Sequence, residues 1–227
     1  MVRVVNEKDY AEKRNQILDA AQRLVYSKGY DQMSIQDILN ELQMSKGAFY
    51  HYFESKQALL EALIERLMQQ ADQFLTAIVN RPDLPALEKF QQFFSSIASW
   101  KTAQKDYLLA LLRTWYADEN VLFRQKSIER GRRQALPYLT AIVKQSVAEG
   151  VFSTAYPDQI GEVAYALMLG LSEQIVDVIL SPEPIPGALE RLKALVEVYT
   201  DALTRILGAP TNTLQFFDLD TLKLWVS

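Results

Sequence analysis

Side chains able to do chemistry are concentrated between residues 34 and 56. Ser45-Lys46-Gly47-Ala48 opens a short helical run that continues through Phe49, Tyr50, His51, Tyr52 and Phe53. An ammonium such as that of Lys46 can reach a guanine edge or a phosphate, and the Ala48 methyl can meet a thymine methyl. Gly47 has no side chain to hold the backbone off a nucleic-acid groove. Phosphate donors stand around this run: the hydroxyls of Ser34, Tyr50 and Tyr52, the Lys56 ammonium and the free N–H groups at the helix starts. Gln36 and His51 complete the candidate set. Phe49 and Phe53 lie four residues apart on one helix face and are assigned to the core.

Enzymatic chemistry has little to work with. There is no Cys, which removes disulfides, thiol catalysis and thiolate metal sites, and a single His makes a zinc site improbable. His51 has no nucleophile partner nearby in sequence, no Gly-rich phosphate loop is present, and the reading is of a non-enzyme with no catalytic residue, cofactor or metal.

The elements that must hold residues 34 to 56 follow from a helical period along nearly the whole chain, so the expected fold class is all-α. Ile17, Leu18, Ala21, Leu24 and Val25 stripe a first helix from about Tyr10 to Lys28, with Gly29 where a left-handed C-terminal residue is wanted. Ser34 caps a second helix with Asp37 three residues on, Ser45 caps a short third, and Ser55 caps a long fourth that stops at Arg81-Pro82. Three helices in so short a span, with a tight turn between the last two, form a helix-turn-helix. Further helices are expected near 85–103, 106–117, 120–149, 157–180 and 187–207, with Pro137 kinking or dividing the third of these. Ser181 to Pro186 is a Pro-rich loop, and the apolar tail 213–227 should pack against something.

Residues 34–60 resemble the DNA-binding region of the TetR family of transcriptional regulators, most specifically in Ser45-Lys46-Gly47-Ala48-Phe49-Tyr50-His51-Tyr52-Phe53 followed by Ser55-Lys56. The resemblance implies phosphate contacts from Ser34, Tyr52 and Lys56, and base or backbone contacts from Ser45 through Tyr50. It implies a helix-turn-helix DNA-binding domain over 1–56 and a helical ligand-binding and dimerisation domain over 57–227. Leu39, Gln43 and Met44 depart from the family's usual Ala, Gly and Val or Ile. Either the turn avoids the left-handed region at Gln43, or a non-Gly residue there costs on the order of 1 kcal/mol.

The expected function is that of a homodimeric transcriptional repressor, reading a palindromic double-stranded operator and released by a small apolar or aromatic effector. Candidate effector contacts are Phe93, Ile97 and Trp100 on the fifth helix, Tyr107, Leu111, Arg113 and Trp115 on the sixth, and Met168 and Leu171 on the eighth. Glu173 and Gln174 are further polar groups that could orient the molecule. The homodimer is expected through helices near 157–180 and 187–207, whose apolar faces exceed what one partner helix covers, with Gly161, Ala164 and Gly170 allowing close approach. Arg130, Arg132 and Arg133 are read as a solvated face.

Charge argues the other way. In residues 1–56 eight basic side chains balance eight acidic ones, below the usual electrostatic footprint of a DNA-binding domain. The alternative is therefore a helical protein-interaction module that does not bind DNA. The N-terminus lacks the apolar run of a signal peptide, and the longest apolar stretch, Val163 to Leu171, is too short to span a bilayer. The expected location is cytoplasmic, with no membrane partner.

Overall fold

A computed structural model describes residues 7–183, 185–216 and 219–226. Among the described residues the chain forms α1 (Glu7–Lys28), α2 (Ile35–Leu42), α3 (Lys46–Tyr50), α4 (Lys56–Val79), α5 (Ala86–Ala103) and α6 (Lys105–Trp115). After a 3-10 turn at Asp118–Asn120 come α7 (Val121–Ala148), α8 (Ile160–Ile179), α9 (Ala188–Leu207) and α10 (Leu219–Val226). No strand occurs among these residues, and no helix is long and apolar enough to cross a membrane. Residues 1–6, Pro184 of the Pro-rich loop and Phe217 of the tail lie outside the described residues.

The helices gather into two compact units, one of residues 1–69 with 105–127 and one of residues 70–104 with 128–227. A division at residue 56 is thus not where the units part, and the reason lies in the first core. Ile17, Leu18, Ile38 and Phe49 of the three-helix segment close only when Leu59, Leu60 and Leu63 of α4, all fully buried, pack beside Tyr107 and Leu111 of α6. The stretch that looks like a separate module lacks the apolar surface to finish its own interior.

In the second unit Phe90, Phe93 and Phe94 of α5 form the centre with Leu139, Ile142 and Val143 of α7 and Leu203 and Leu207 of α9. Pro137 does not divide α7, which runs unbroken through it. The residues just beyond the proline are pinned: Leu139 is 1 % exposed, and the Tyr138 hydroxyl lies 2.7 Å from Thr76 Oγ1 and donates to Asp72 Oδ1 at 2.9 Å. The buried Lys89 ammonium donates to the last carbonyl of α4, Val79 O, at 2.9 Å, satisfying a helix-end acceptor. Glu149 accepts from the Ala86 N–H at the start of α5, a bond that holds its carboxyl below the ordinary range.

The tail is packed, as its composition requires. Leu214 and Phe216 are buried, with the Phe216 ring 4.8 Å from Phe94 and 5.6 Å from Phe90. Leu222 joins Leu171 and Val196 in a third cluster, and Trp225 Nε1 donates to Thr102 Oγ1 at 3.1 Å. Part of the apolar surplus of α8 and α9 is therefore covered by α10 of the same chain. The small residues of α8 are also used internally: a Cβ at Gly161 would meet Thr140 Oγ1 at 3.1 Å, one at Gly170 would meet the Tyr199 hydroxyl at 3.1 Å, and Ala164 is 3 % exposed. Close approach at these positions joins α8 to α7 and α9, which corrects their assignment to a dimer contact. Phe216→Ala is expected to destabilise the protein by about 3–5 kcal/mol in denaturant unfolding, whereas Leu224→Ala, at a half-exposed position, changes it by less than about 0.5 kcal/mol.

Candidate nucleic-acid interface

Two caps build the site. Ser34 Oγ accepts the Asp37 N–H at 3.2 Å while the Ser34 N–H donates to Asp37 Oδ2 at 2.7 Å, a reciprocal capping box at the start of α2. Lys28 adds an ion pair to the same carboxylate at 2.7 Å, and together these bonds hold the Asp37 carboxyl far below its ordinary range. At the start of α3, Ser45 Oγ accepts the Ala48 N–H at 3.2 Å. Ser55 does the same for the Ala58 N–H at 3.0 Å, starting α4. All three caps are those the sequence predicts.

Between α2 and α3 the chain turns at Gln43, which adopts φ 50° and ψ 42° in the left-handed region. The turn is closed by Met44 N–H to Leu39 O at 3.0 Å. A residue with a Cβ accepts strain here that glycine would not.

α3 is only five residues long, and its orientation is set by Phe49, which is fully buried, and by Phe53, 3 % exposed, their rings 5.9 Å apart. With that face inside, Ser45, Lys46, Gly47, Tyr50 and His51 are exposed, and Ala48 and Tyr52 half-exposed. Lys46 Nζ lies 5.9 Å from the Tyr50 ring centroid and makes no ion pair among the described residues. His51 and Tyr52 pack around Tyr10 of α1, with centroid separations of 5.6 and 4.8 Å. Ser34 and Gln36 are exposed at the start of α2, and Lys56 half-exposed at the start of α4. The ten predicted positions thus lie together at the surface of the first unit, on α2, α3 and the first turn of α4.

Gly47 is the informative position among them. A Cβ there would meet no atom within 4 Å, so nothing inside the protein requires a glycine at this point of the helix.

Several acids of residues 1–56 are held in ion pairs. Asp37 is paired with Lys28, Glu41 with Arg23 at 2.6 Å, and Asp19 with Arg66 of α4 at 2.5 Å. Residues 45–53 carry one cation, Lys46, and no acid, and the exposed Glu54 follows directly.

The predicted effector residues are divided between the units: Tyr107, Leu111, Arg113 and Trp115 belong to the first, and Phe93, Ile97, Trp100, Met168 and Leu171 to the second. Tyr107 and Leu111 are core of the first unit, Phe93 and Leu171 core of the second, and Arg113 and Glu173 are exposed. A groove of about 760 Å³ in the second unit has a different lining, with Arg132, Arg133 and Lys144 facing Asp158 and Glu162 along Pro137 and Thr140. Its cations are neutralised: Arg132 and Arg133 both bind Glu129, at 2.9 and 2.8 Å, and Lys144 pairs with Asp158. The arginines are a solvated, ion-paired face, as their sequence suggests. Among the described residues no cluster of His, Asp or Glu could hold a metal ion.

Residues 17–63 match the family described as bacterial regulatory proteins, tetR family. An HTH-type transcriptional repressor of Mycobacterium tuberculosis is 30 % identical over 134 residues, covering 57 % of this chain and 70 % of that protein. The chain belongs to the TetR family. Similarity at lower identity extends over most of its length: the Escherichia coli repressor NemR is 24 % identical over 197 residues, 85 % of this chain and 98 % of NemR. A solved TetR-family regulator from Pectobacterium atrosepticum superposes with a TM-score of 0.65 at 18 % identity, covering 90 % of this chain and 99 % of that one, which shows a shared fold.

Within this TetR-family helix-turn-helix the strained turn gives a direct test. Gln43→Gly is expected to raise stability by roughly 0.5–1 kcal/mol in urea unfolding, the relief of left-handed strain exceeding the added freedom of the unfolded chain.

Proposed function

We propose that this TetR-family regulator is a homodimeric repressor that binds a palindromic operator through α3 and is released by a small apolar or aromatic effector. In this reading Lys46, Gly47, Ala48 and Tyr50 meet base edges and the adjoining backbone. Ser34, Gln36, Ser45, His51, Tyr52 and Lys56 fix the register on phosphates. The observation that carries it is Gly47: a glycine costs up to about 1 kcal/mol relative to alanine within a helix and gains nothing inside this protein, which fits a close approach by an external surface. A duplex backbone is such a surface.

Dimerisation follows from the operator's symmetry, since two half-sites one helical turn apart are read by a two-fold assembly. Support on α8 and α9 comes from Val163 and Val198, which are 48 and 65 % exposed and remain uncovered by α10. The effector class is inferred from the aromatic and apolar composition of α5, whose Phe90, Phe93 and Phe94 are packed in the core of the second unit. An effector acts only through differential affinity for two arrangements of the protein, and entry beside Ile97, Trp100 or Met168 would have to part existing packing.

Selection of bound sequences from a random duplex library tests DNA recognition. The native protein is expected to enrich a palindrome, and the Lys46→Ala, Tyr50→Ala double variant to enrich none. Enrichment by neither at low salt would favour the interaction-module alternative. Gly47→Ala separates fold from function: unfolding free energy should be unchanged or up to about 1 kcal/mol higher, while operator affinity falls at least tenfold. Inducibility is tested by titrating apolar aromatic compounds against the operator complex; saturating binding that leaves operator affinity unchanged would remove the effector from the account.

A further inference from the structure

Lys56 and Gln57 open α4, and neither is held by the helix-turn-helix alone. The Lys56 ammonium donates to the main-chain oxygen of Asp31 at 3.2 Å and lies 4.6 Å from the Tyr30 ring centroid, while the Tyr30 hydroxyl donates to Lys56 O at 2.7 Å. The Asp31 carboxylate in turn accepts from Thr114 Oγ1, on α6, at 3.1 Å. Asn120, in the turn that follows α6, donates from Nδ2 to Thr114 O at 2.8 Å and accepts from Gln57 Nε2 at 2.7 Å. Thr114 is 8 % exposed and Asn120 2 % exposed. Two buried polar side chains from beyond residue 110 thus grip the first turn of α4 from two directions, through Asp31 on one side and Gln57 on the other.

A buried amide or hydroxyl is tolerated where its polar atoms are paired, and here Thr114 Oγ1 is bound to Asp31 while Asn120 is bound to Gln57 and to the Thr114 main chain. An ammonium has three N–H donors. One goes to Asp31 and the Tyr30 ring lies against the ammonium, which leaves donor capacity for a further partner. Thr114 and Asn120, which bond to Asp31 and Gln57, are on α6 and in the turn after it, outside the helix-turn-helix motif.

We propose that Thr114 and Asn120 are positioning residues for DNA binding, which hold Asp31 and the first turn of α4 so that the Lys56 ammonium is presented to a backbone phosphate. The proposal rests on Lys56 being a phosphate contact. Without the Thr114 hydroxyl the Asp31 loop and the Lys56 ammonium lose their common anchor, and the contact is made at the expense of ordering both.

Operator affinity measured across a salt series tests this, using the duplex enriched by the native protein. Lys56→Ala should weaken binding and flatten the plot of log affinity against log salt by about two, one phosphate for each half-site of a dimer. Thr114→Val should weaken binding by about tenfold and flatten the same plot, Thr114→Ser should restore both, and adding Thr114→Val to Lys56→Ala should cost little more. Asp31→Ala sharpens the test because the residue is exposed and the variant folds without a cavity. Removing a negative charge tightens DNA binding by electrostatics alone, whereas positioning requires binding to weaken. Tighter binding by Asp31→Ala, or a Thr114→Val effect that leaves the salt slope unchanged and adds fully to Lys56→Ala, overturns the proposal. An unchanged slope in Lys56→Ala overturns instead the phosphate contact on which it rests.

Discussion

Phe49 has no exposed surface, and that one burial organises the functional face. A helix of five residues has no stability of its own, because nucleation costs more than so few hydrogen bonds return. α3 exists because Phe49 and Phe53 are held in a core made by α1, α2, α4 and α6. Once those two rings are inside, the periodicity of the helix turns Lys46, Gly47 and Tyr50 outward without further instruction. The caps at Ser45 and Ser55 then fix where the helix starts and where α4 takes over.

Charge is arranged locally, and the total is a poor guide to it. Three acids of the first 56 residues are bound to Lys28, Arg23 and Arg66, where they close α2 onto α1 and α4 onto α1. The run from Ser45 to Phe53 keeps one cation and no anion.

In the second unit the apolar tail and the small residues of α8 answer to one demand, the filling of a helical interior. Phe216 completes an aromatic cluster with Phe90 and Phe94, and Leu222 closes the space between Leu171 and Val196. Aromatic residues spaced along a helix look the same in sequence whether they line a cavity or fill a core. Here Phe93 and Leu171 fill cores, and the groove nearby is lined by ion-paired side chains.

Although the tail was legible as an apolar segment but not as the helix α10, the all-α class, the limits of α1 to α9 to within a few residues, the three serine caps and the outward face of α3 were legible in the residues themselves. Each is local, depending on contacts within about four positions along the chain, where residue type decides the outcome. At Gln43 the sequence leaves two outcomes open, a turn that avoids the left-handed region or one that enters it at a cost, and the chain takes the second. What no local pattern contains is which distant segment supplies the missing part of a core or a hydrogen bond. α6 joins the helix-turn-helix unit across a gap of more than 30 residues, Thr114 reaches Asp31, and Phe216 reaches Phe94. Those pairings are set by burial and polar satisfaction in three dimensions, and only the tertiary structure decides them.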